Sequence, residues 1–338
     1  VEIKGLIMID TTIAKLNKLK KSFLGKKIAI IGDLMLDSYF WGKVSRISPE
    51  APVPIVAIDD EFYRFGGAAN VALNIKTLGG FPIPVGVIGD DNDGKLLRNL
   101  FKESTITDIG ILVDKTRPTT TKSRVIANNQ HVVRIDKEKV NSIPPIIEKK
   151  IINLLKKEIK NIDAIILEDY NKGVLTSTLI DEVINLANNN NKIVTVDPKF
   201  NNFFNYKNVT VFKPNRKETE DALGIRLSTK EDISNAGKIL LDKLNAKFIL
   251  ITLGEDGIAL FEKNKTEKRI PTKARKVADV SGAGDTVIST LTMALCAGAD
   301  IYDATYLANF AGGLVCQEVG IVPINLDYLF DSVKEELL

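Results

Sequence analysis

The 338-residue chain contains a single histidine, His131. This nearly excludes catalysis by a His base beside a Ser or Cys nucleophile, and zinc sites built on several His. His131 lies in the alternating stretch NQHVVRID and reads as a strand residue. The two cysteines, Cys296 and Cys316, match no metal-ligand spacing. They read as buried small hydrophobes in a reducing compartment. No apolar run is long enough to span a bilayer and no signal-peptide pattern is visible, so a cytoplasmic protein with no membrane partner is expected. Charge of one sign is lacking too: 46 basic against 43 acidic residues give a net charge of +3. That balance argues against a nucleic-acid partner. Internal repeats and long disordered linkers are also absent.

What is present is a globular composition with a regular alternation. Strand-like runs include KKIAIIGD (26–33), IPVGVIGDD, DAIILEDY, KIVTVDPK, VTVFKPN and KFILITLG. Segments of helical spacing, such as AANVALNIKTLGG (68–80) and GKLLRNLFKES, separate most of them. This order predicts an α/β architecture with a mostly parallel sheet. Ligands on such sheets bind beyond the carboxyl ends of the strands, where Asp33, Asp169, Asp197 and Asn215 fall. Two stretches break the alternation, within 39–65 and 118–136. Both carry prolines and period-two patterning and read as antiparallel strands of a small projecting sheet, a lid or a dimer contact.

Two phosphate-loop patterns fail on inspection. GDDNDGKL (89–96) has G-x-x-x-x-G-K spacing, but lacks the Ser/Thr for magnesium and holds three aspartates that would repel a triphosphate. It reads as a strand-to-helix turn. Gly282-Ala283-Gly284 lacks the third glycine of a dinucleotide fingerprint. The stretch ADVSGAGDTVIS (278–289) is better read as the start of a helix whose apolar face includes Val287, Leu291 and Leu295. First-turn amides have no helical partner, and small residues let a phosphoryl group approach them along the helix dipole. Asp285 in that turn can accept a proton from an attacking hydroxyl. An ordinary N-terminal helix acid is the equal alternative on spacing alone.

DVSGAGDTV resembles the signature of the PfkB, or ribokinase-like, family of sugar kinases, and FGGAANVALNIKTLG (65–79) resembles its other glycine-rich motif. The resemblance runs from about Ile28 to Val322. Within the family, GDLMLDSYFWGKVSRISPEAPVPIV (32–56), EDYNKGVLT (168–176), VDPK (196–199) and KPNRKE (213–218) are similar to D-glycero-β-D-manno-heptose 7-phosphate kinases, in their stand-alone form since the sequence stops at Leu338. The resemblance implies a three-layer ribokinase-like α/β domain over 26–330, with a mostly parallel central sheet, a small β-sheet lid and a helical N-terminal extension over 1–25. It makes Asp285 the base and the amides of Gly282, Ala283, Gly284 and Asp285 an anion hole. Asn215 and Glu218 form its N-x-x-E element, with Glu218 reaching Mg2+ through water and organising ATP. Thr252, Gly254 and Gly257 fall in a turn near the nucleotide, and Asn309, Gly312 and Gly313 on a helix near adenine. Asp33, Asp37, Gly66, Gly67 and Asn70 match sugar contacts. Asp279 and Ser281 are assigned a K+ ion.

An acceptor that already bears phosphate needs a cationic anchor, because an uncompensated dianion is costly to desolvate. Lys122 and Arg124 share one strand face. Arg46, Lys172 and Lys199 lie in the heptose-kinase-like segments, and the strand-end acids Asp169 and Asp197 join the acceptor set. Arg124 and Lys172 rank first; an ordinary surface base is the alternative for each cation. Two departures stand out: Glu168 precedes Asp169-Tyr170 where a small residue is expected, and DTV replaces DTF. The reaction expected is ATP-dependent phosphorylation of the anomeric hydroxyl of heptose 7-phosphate, by a homodimer joined through lid strands. The alternatives are a related kinase for another sugar, sugar phosphate or nucleoside, and a catalytically silent nucleotide-binding sensor.

Overall fold

Residues 28–31, Ile-Ala-Ile-Ile, bury every side chain. A strand can do that only if it is covered on both faces. A computed structural model, which describes residues 13–128, 130–272, 280–318, 320 and 322–337, supplies both covers. In chain order its elements are α1 (Ile13–Phe23), β1 (Lys27–Gly32), β2 (Leu34–Ile47), β3 (Pro54–Gly67), α2 (Ala68–Thr77), β4 (Phe81–Ile88), α3 (Asn92–Glu103), β5 (Gly110–Val113), β6 (Thr120–Ala127) and β7 (Gln130–Lys137). There follow α4 (Pro145–Glu158), β8 (Ala164–Glu168), α5 (Ser177–Asn189), β9 (Ile193–Asp197), β10 (Val211–Phe212), α6 (Arg216–Leu223), α7 (Lys230–Leu244), β11 (Phe248–Thr252), β12 (Ile258–Glu262) and β13 (Lys268–Ile270). Three helices close the chain: α8 (Ala283–Cys296), α9 (Ile301–Val315) and α10 (Leu326–Leu337).

The main sheet runs β13-β12-β11-β10-β9-β8-β1-β4-β5. Pairing is parallel from β5 to β11, and β12 and β13 close one edge as antiparallel strands. Alternate strand residues point to opposite faces. Ile28, Ile30, Ile166, Val211 and Leu250 pack with residues of α2, α3, α8, α9 and α10. Ala29, Ile31, Ile165, Leu167, Phe212, Ile249 and Ile251 pack with α4, α5 and α7. The result is the mostly parallel α/β sheet expected from the strand and helix order, in the three layers that the family resemblance implies. Helix starts follow side-chain capping: Asp91 accepts the Gly94 amide, and Asn215/Glu218 and Thr229/Asp232 form capping boxes. Asp91 thus makes 89–96 a strand-to-helix turn, as its acidic content implied.

The second sheet has the order β3-β2-β6-β7. The two segments do form strands, and β2/β3 and β6/β7 are antiparallel hairpins. Their junction differs from the expectation: β2 and β6 pair in parallel. Both leave the main sheet from the same end, so they run outward side by side. β2 is buried from Leu34 to Tyr39 and mostly exposed beyond, and β7, which holds His131, is exposed throughout. Cys296 and Cys316 are half-buried rather than fully buried. Among the described residues no helix is long and apolar enough to cross a membrane.

The end of β1 tests the close strand approach. A Cβ at Gly32 would lie 1.9 Å from the Glu168 carbonyl oxygen, whereas one at Gly224 (φ 67°) would meet nothing within 4 Å. Gly32→Ala is expected to cost about 3 kcal/mol or more in urea unfolding, and Gly224→Ala only about 1 kcal/mol of left-handed strain. Equal costs would contradict this packing.

Candidate active site

The carboxyl ends of β1, β8, β9, β10 and β11 converge on the start of α8. Gly282 caps α8 in the left-handed region (φ 80°), which turns the chain into the helix. The amide of Ala283 donates to Val280 O (3.3 Å), which withdraws it from the expected four-amide anion hole. Gly284 and Asp285 contribute the next first-turn amides. A Cβ at Gly284 would make only ordinary contacts, 3.5 Å to Asp197 Oδ2 and 3.8 Å to Lys213 Nζ. Packing therefore does not require glycine there; the space it leaves opens over Asp197 and Lys213. Thr292 of α8 bonds Thr195 of β9 (2.7 Å), fixing the helix over the strand.

Asp285 is 4 % exposed. Asn70 Nδ2 donates to its Oδ2 (2.7 Å) and the Tyr170 hydroxyl to its Oδ1 (2.9 Å). Asn70 reaches it because α2 is capped by Gly67, whose positive φ (55°) lets the Ala68 amide reach Asp33 O (3.1 Å). The other polar side-chain atom of Asn70, Oδ1, is buried without a partner among the described residues. Beside Asp285 lie Glu168 and Asp197, and one oxygen of each of the three lies within 4.8 Å of the others. Lys213 Nζ pairs with Asp197 (2.8 Å), and Lys199 Nζ contacts Glu218. Glu218 Oε2 also accepts the Asn215 amide (2.8 Å), completing the α6 capping box.

The expected acceptor residues divide into three groups. Asp37 pairs with Arg124 (2.7 Å) next to Gly66, and Lys122 and Lys199 lie over the Tyr170 ring at 5.4 and 5.3 Å. Lys122 and Lys199 thus lie beside the tyrosine that bonds Asp285, while the Asp37–Arg124 pair joins β2 to β6. Lys172 pairs with Glu138 (2.8 Å) close by. Asp33 and Asp169 have other work: Asp33 accepts the amides of Tyr170, Lys172 and Val174, and Asp169 accepts from Tyr206, Asn202 and Asn171. They fold the loop that presents Tyr170. Arg46 lies on the exposed outer half of β2, and the structure does not bring it to the cluster.

Of the residues expected near the nucleotide, Thr252 bridges to Asn215, and Gly254 and Gly257 turn the chain with positive φ. Asn309 Nδ2 donates to Pro271 O (2.7 Å). Gly312 has a packing reason of its own, since a Cβ would lie 2.8 Å from Val287 Cγ2. Gly313 is buried one residue on in α9. Ser281 is exposed in the turn before α8, and Asp279 lies outside the described residues.

Tyr170, Lys213 and Arg117 were not singled out by pattern. Tyr170 stands inside EDYNKG and Lys213 inside KPN, but nothing local marks a tyrosine as a partner of a carboxylate 115 positions away. Glu168 shows only as a departure from a small residue. Arg117 is the third: buried, it pairs with Asp114 (3.1 Å) and donates to Lys172 O (2.8 Å) and Asn141 O, clamping the Tyr170 loop.

Burial pushes the Asp285 carboxyl up to about 6; the Asn70 and Tyr170 bonds and Lys213 oppose burial, while Asp197 adds to it. Burial, with Asp169 nearby, pushes Asp33 up to about 6 as well. Glu168 is raised well above the carboxylate range by burial and by Asp197 and Asp285. Burial would lower Lys213, but Asp197, Glu218 and Glu168 together outweigh it and raise that ammonium. Raised carboxyls bind more protons folded than unfolded between pH 4 and 6, so stability falls as pH rises through that window. In metal-free buffer the thermal midpoint is expected to be higher at pH 5 than at pH 7. A higher midpoint at pH 7 would contradict the buried, acid-rich site.

Residues 25–326 match the pfkB family carbohydrate kinases. The chain is 44 % identical over 310 residues to the bifunctional protein HldE of Aliarcobacter butzleri (strain RM4018), covering 91 % of this chain and 65 % of that protein. For the HldE proteins of Helicobacter pylori (strain HPAG1) and Geobacter sulfurreducens the identities are 42 % and 44 %, covering 89 % and 86 % of this chain. The chain spans 65 % and 59 % of those two relatives' own length. Among solved structures, Escherichia coli phosphofructokinase-2 in complex with substrates and products superposes with a TM-score of 0.74 at 16 % identity, over 92 % of this chain and 99 % of that one. Arabidopsis thaliana ribokinase complexed with ribose and ATP gives 0.72 at 18 %, over 92 % and 99 %. The chain belongs to the pfkB family of carbohydrate kinases, and its fold is ribokinase-like.

Proposed function

We propose that the chain transfers the terminal phosphoryl group of ATP to the anomeric hydroxyl of D-glycero-β-D-manno-heptose 7-phosphate, giving the 1,7-bisphosphate. The observation that carries this reading is Asp285: a buried carboxyl in the first turn of α8, held by Asn70 and Tyr170 beside the open face of Gly284. The heptose-kinase-like segments supply much of its surroundings, since Glu168, Tyr170, Asp197 and Lys213 come from them. The similarity to HldE proteins agrees with that assignment.

The acceptor hydroxyl displaces the Tyr170 or Asn70 bond and donates to Asp285, which takes its proton as the new O–P bond forms. The amides of Gly284 and Asp285 and the Lys213 ammonium stabilise charge on the moving group, so positioning and electrostatics carry most of the rate. Magnesium bound with the nucleotide supplies charge neutralisation at its phosphates, and the donor chemistry fits. Glu218 offers a hard carboxylate whose two oxygens already accept from Asn215 and Lys199, which suits contact through water. The four-stranded sheet acts as the lid that excludes water. Its outer half exposes Trp41, Ile47, Ile58, Val133 and Ile135, and we assign a homodimer to that face, to be read by sedimentation.

A second reading is favoured by the ion pairs Arg124–Asp37 and Lys172–Glu138, which already neutralise two of the expected anchors. It is a kinase of the same chemistry for an unphosphorylated sugar or nucleoside. ATP consumption across paired sugars and sugar phosphates separates the two. The heptose reading predicts turnover only with the 7-phosphate, and an at least roughly ten-fold rise in KM on Arg124→Ala or Lys122→Ala. Equal turnover of the free sugar overturns it. Asp285→Asn should fold, bind ATP and lose roughly 10²–10⁴-fold in kcat; near wild-type turnover removes Asp285 from the base role. The acid limb of kcat/KM should lie near pH 6. Tyr170→Phe deletes a bond that favours the ionised carboxyl, so that limb should move to higher pH; a limb that stays or falls contradicts the pairing.

A further inference from the structure

We propose that Glu168, Asp197 and Asp285 together bind one divalent cation directly, in the absence of nucleotide and sugar. The three come from separate elements, the ends of β8 and β9 and the first turn of α8. One oxygen from each lies within 4.8 Å of the others. Converging carboxylates alone do not make a site, and the decisive observation is Glu168. It is 1 % exposed, and among the described residues neither Oε1 nor Oε2 has a hydrogen-bond partner. A buried carboxylate without partners is costly unless something compensates it.

The charges around it give the sign and size of what is missing. Four carboxylates meet here, Glu168, Asp197, Glu218 and Asp285. Two ammonium groups face them, Lys213 on Asp197 and Lys199 on Glu218. Among the described residues, and with all four carboxylates ionised, the pocket carries an excess of two negative charges, which one dication cancels. The donors are all hard oxygens, which selects magnesium or manganese over softer ions. Glu218 and the Asn215 amide cap α6 and stand outside this triad. The cation has a clear use. A triphosphate entering over Gly284 would otherwise meet an uncompensated acidic wall, and with the triad filled it meets a neutral one.

The test uses the full chain alone, so its failure leaves the kinase reading untouched. Mn2+ is titrated without nucleotide or sugar, with free Mn2+ read by electron paramagnetic resonance and the thermal midpoint followed in parallel. The expected result is one Mn2+ bound and a raised midpoint. Glu168→Gln and Glu168→Ser should each weaken Mn2+ by roughly ten-fold or more and lose the metal-dependent rise, while melting without metal no lower than wild type. Glu218→Gln should bind Mn2+ nearly as wild type does. Three results overturn the proposal: no Mn2+ uptake by the wild-type chain, which would mean Glu168 is kept neutral by a proton; uptake unchanged in both Glu168 variants; or uptake lost in Glu218→Gln.

Discussion

Everything in this site depends on one carboxylate being held, ionisable, at the amino end of a buried helix. Asp285 is gripped from two directions, by Asn70 at the start of α2 and by Tyr170 on the loop after β8. Each grip is itself built. Asn70 is placed by the positive φ of Gly67, and the Tyr170 loop by the three amide bonds to Asp33 and by the Arg117 clamp. Removing any of these supports frees the carboxylate to swing. That is why residues that touch no reacting atom, Asp33, Asp169 and Arg117, are buried and fully engaged.

The second constraint is charge. The sheet ends in acids at several strands, an arrangement that would repel any phosphate were it not interleaved with lysines. Lys213 is almost fully buried, at 2 % exposure, and it tolerates that position only because Asp197 is in contact. Burial raises Glu168 and Asp285, while the neighbouring carboxylates keep Lys213 charged against that burial. One low-dielectric cleft therefore offers a proton acceptor near neutrality and a permanent cation a few ångströms away. Those are the two properties that phosphoryl transfer to a hydroxyl asks of a protein.

The sequence displays the scaffold more openly than the site. Ile28–Ile31 and Ile165–Leu167 advertise doubly covered strands because their signal is local, and Gly282 to Asp285 advertise a helix start for the same reason. The lid strands were legible as strands, but their hairpin patterning says nothing about partners, so the parallel pairing of β2 with β6 was not. Arg46 shows the converse. It sits in a characteristic segment, yet a long two-stranded ribbon carries it away from the cluster. Tyr170, Lys213 and the triad around Glu168 were invisible as a group because each is made by residues from different strands. Only the sheet order, β10-β9-β8-β1, puts their ends side by side.

The most direct measurement is a crystal structure of the chain with a non-hydrolysable ATP analogue and heptose 7-phosphate. The account predicts the terminal phosphate over Gly284, the anomeric hydroxyl about 3 Å from Asp285, and at least one of the Asn70 and Tyr170 bonds given up to it. A terminal phosphate bound away from Gly284, with Asp285 still held by both Asn70 and Tyr170, would contradict it.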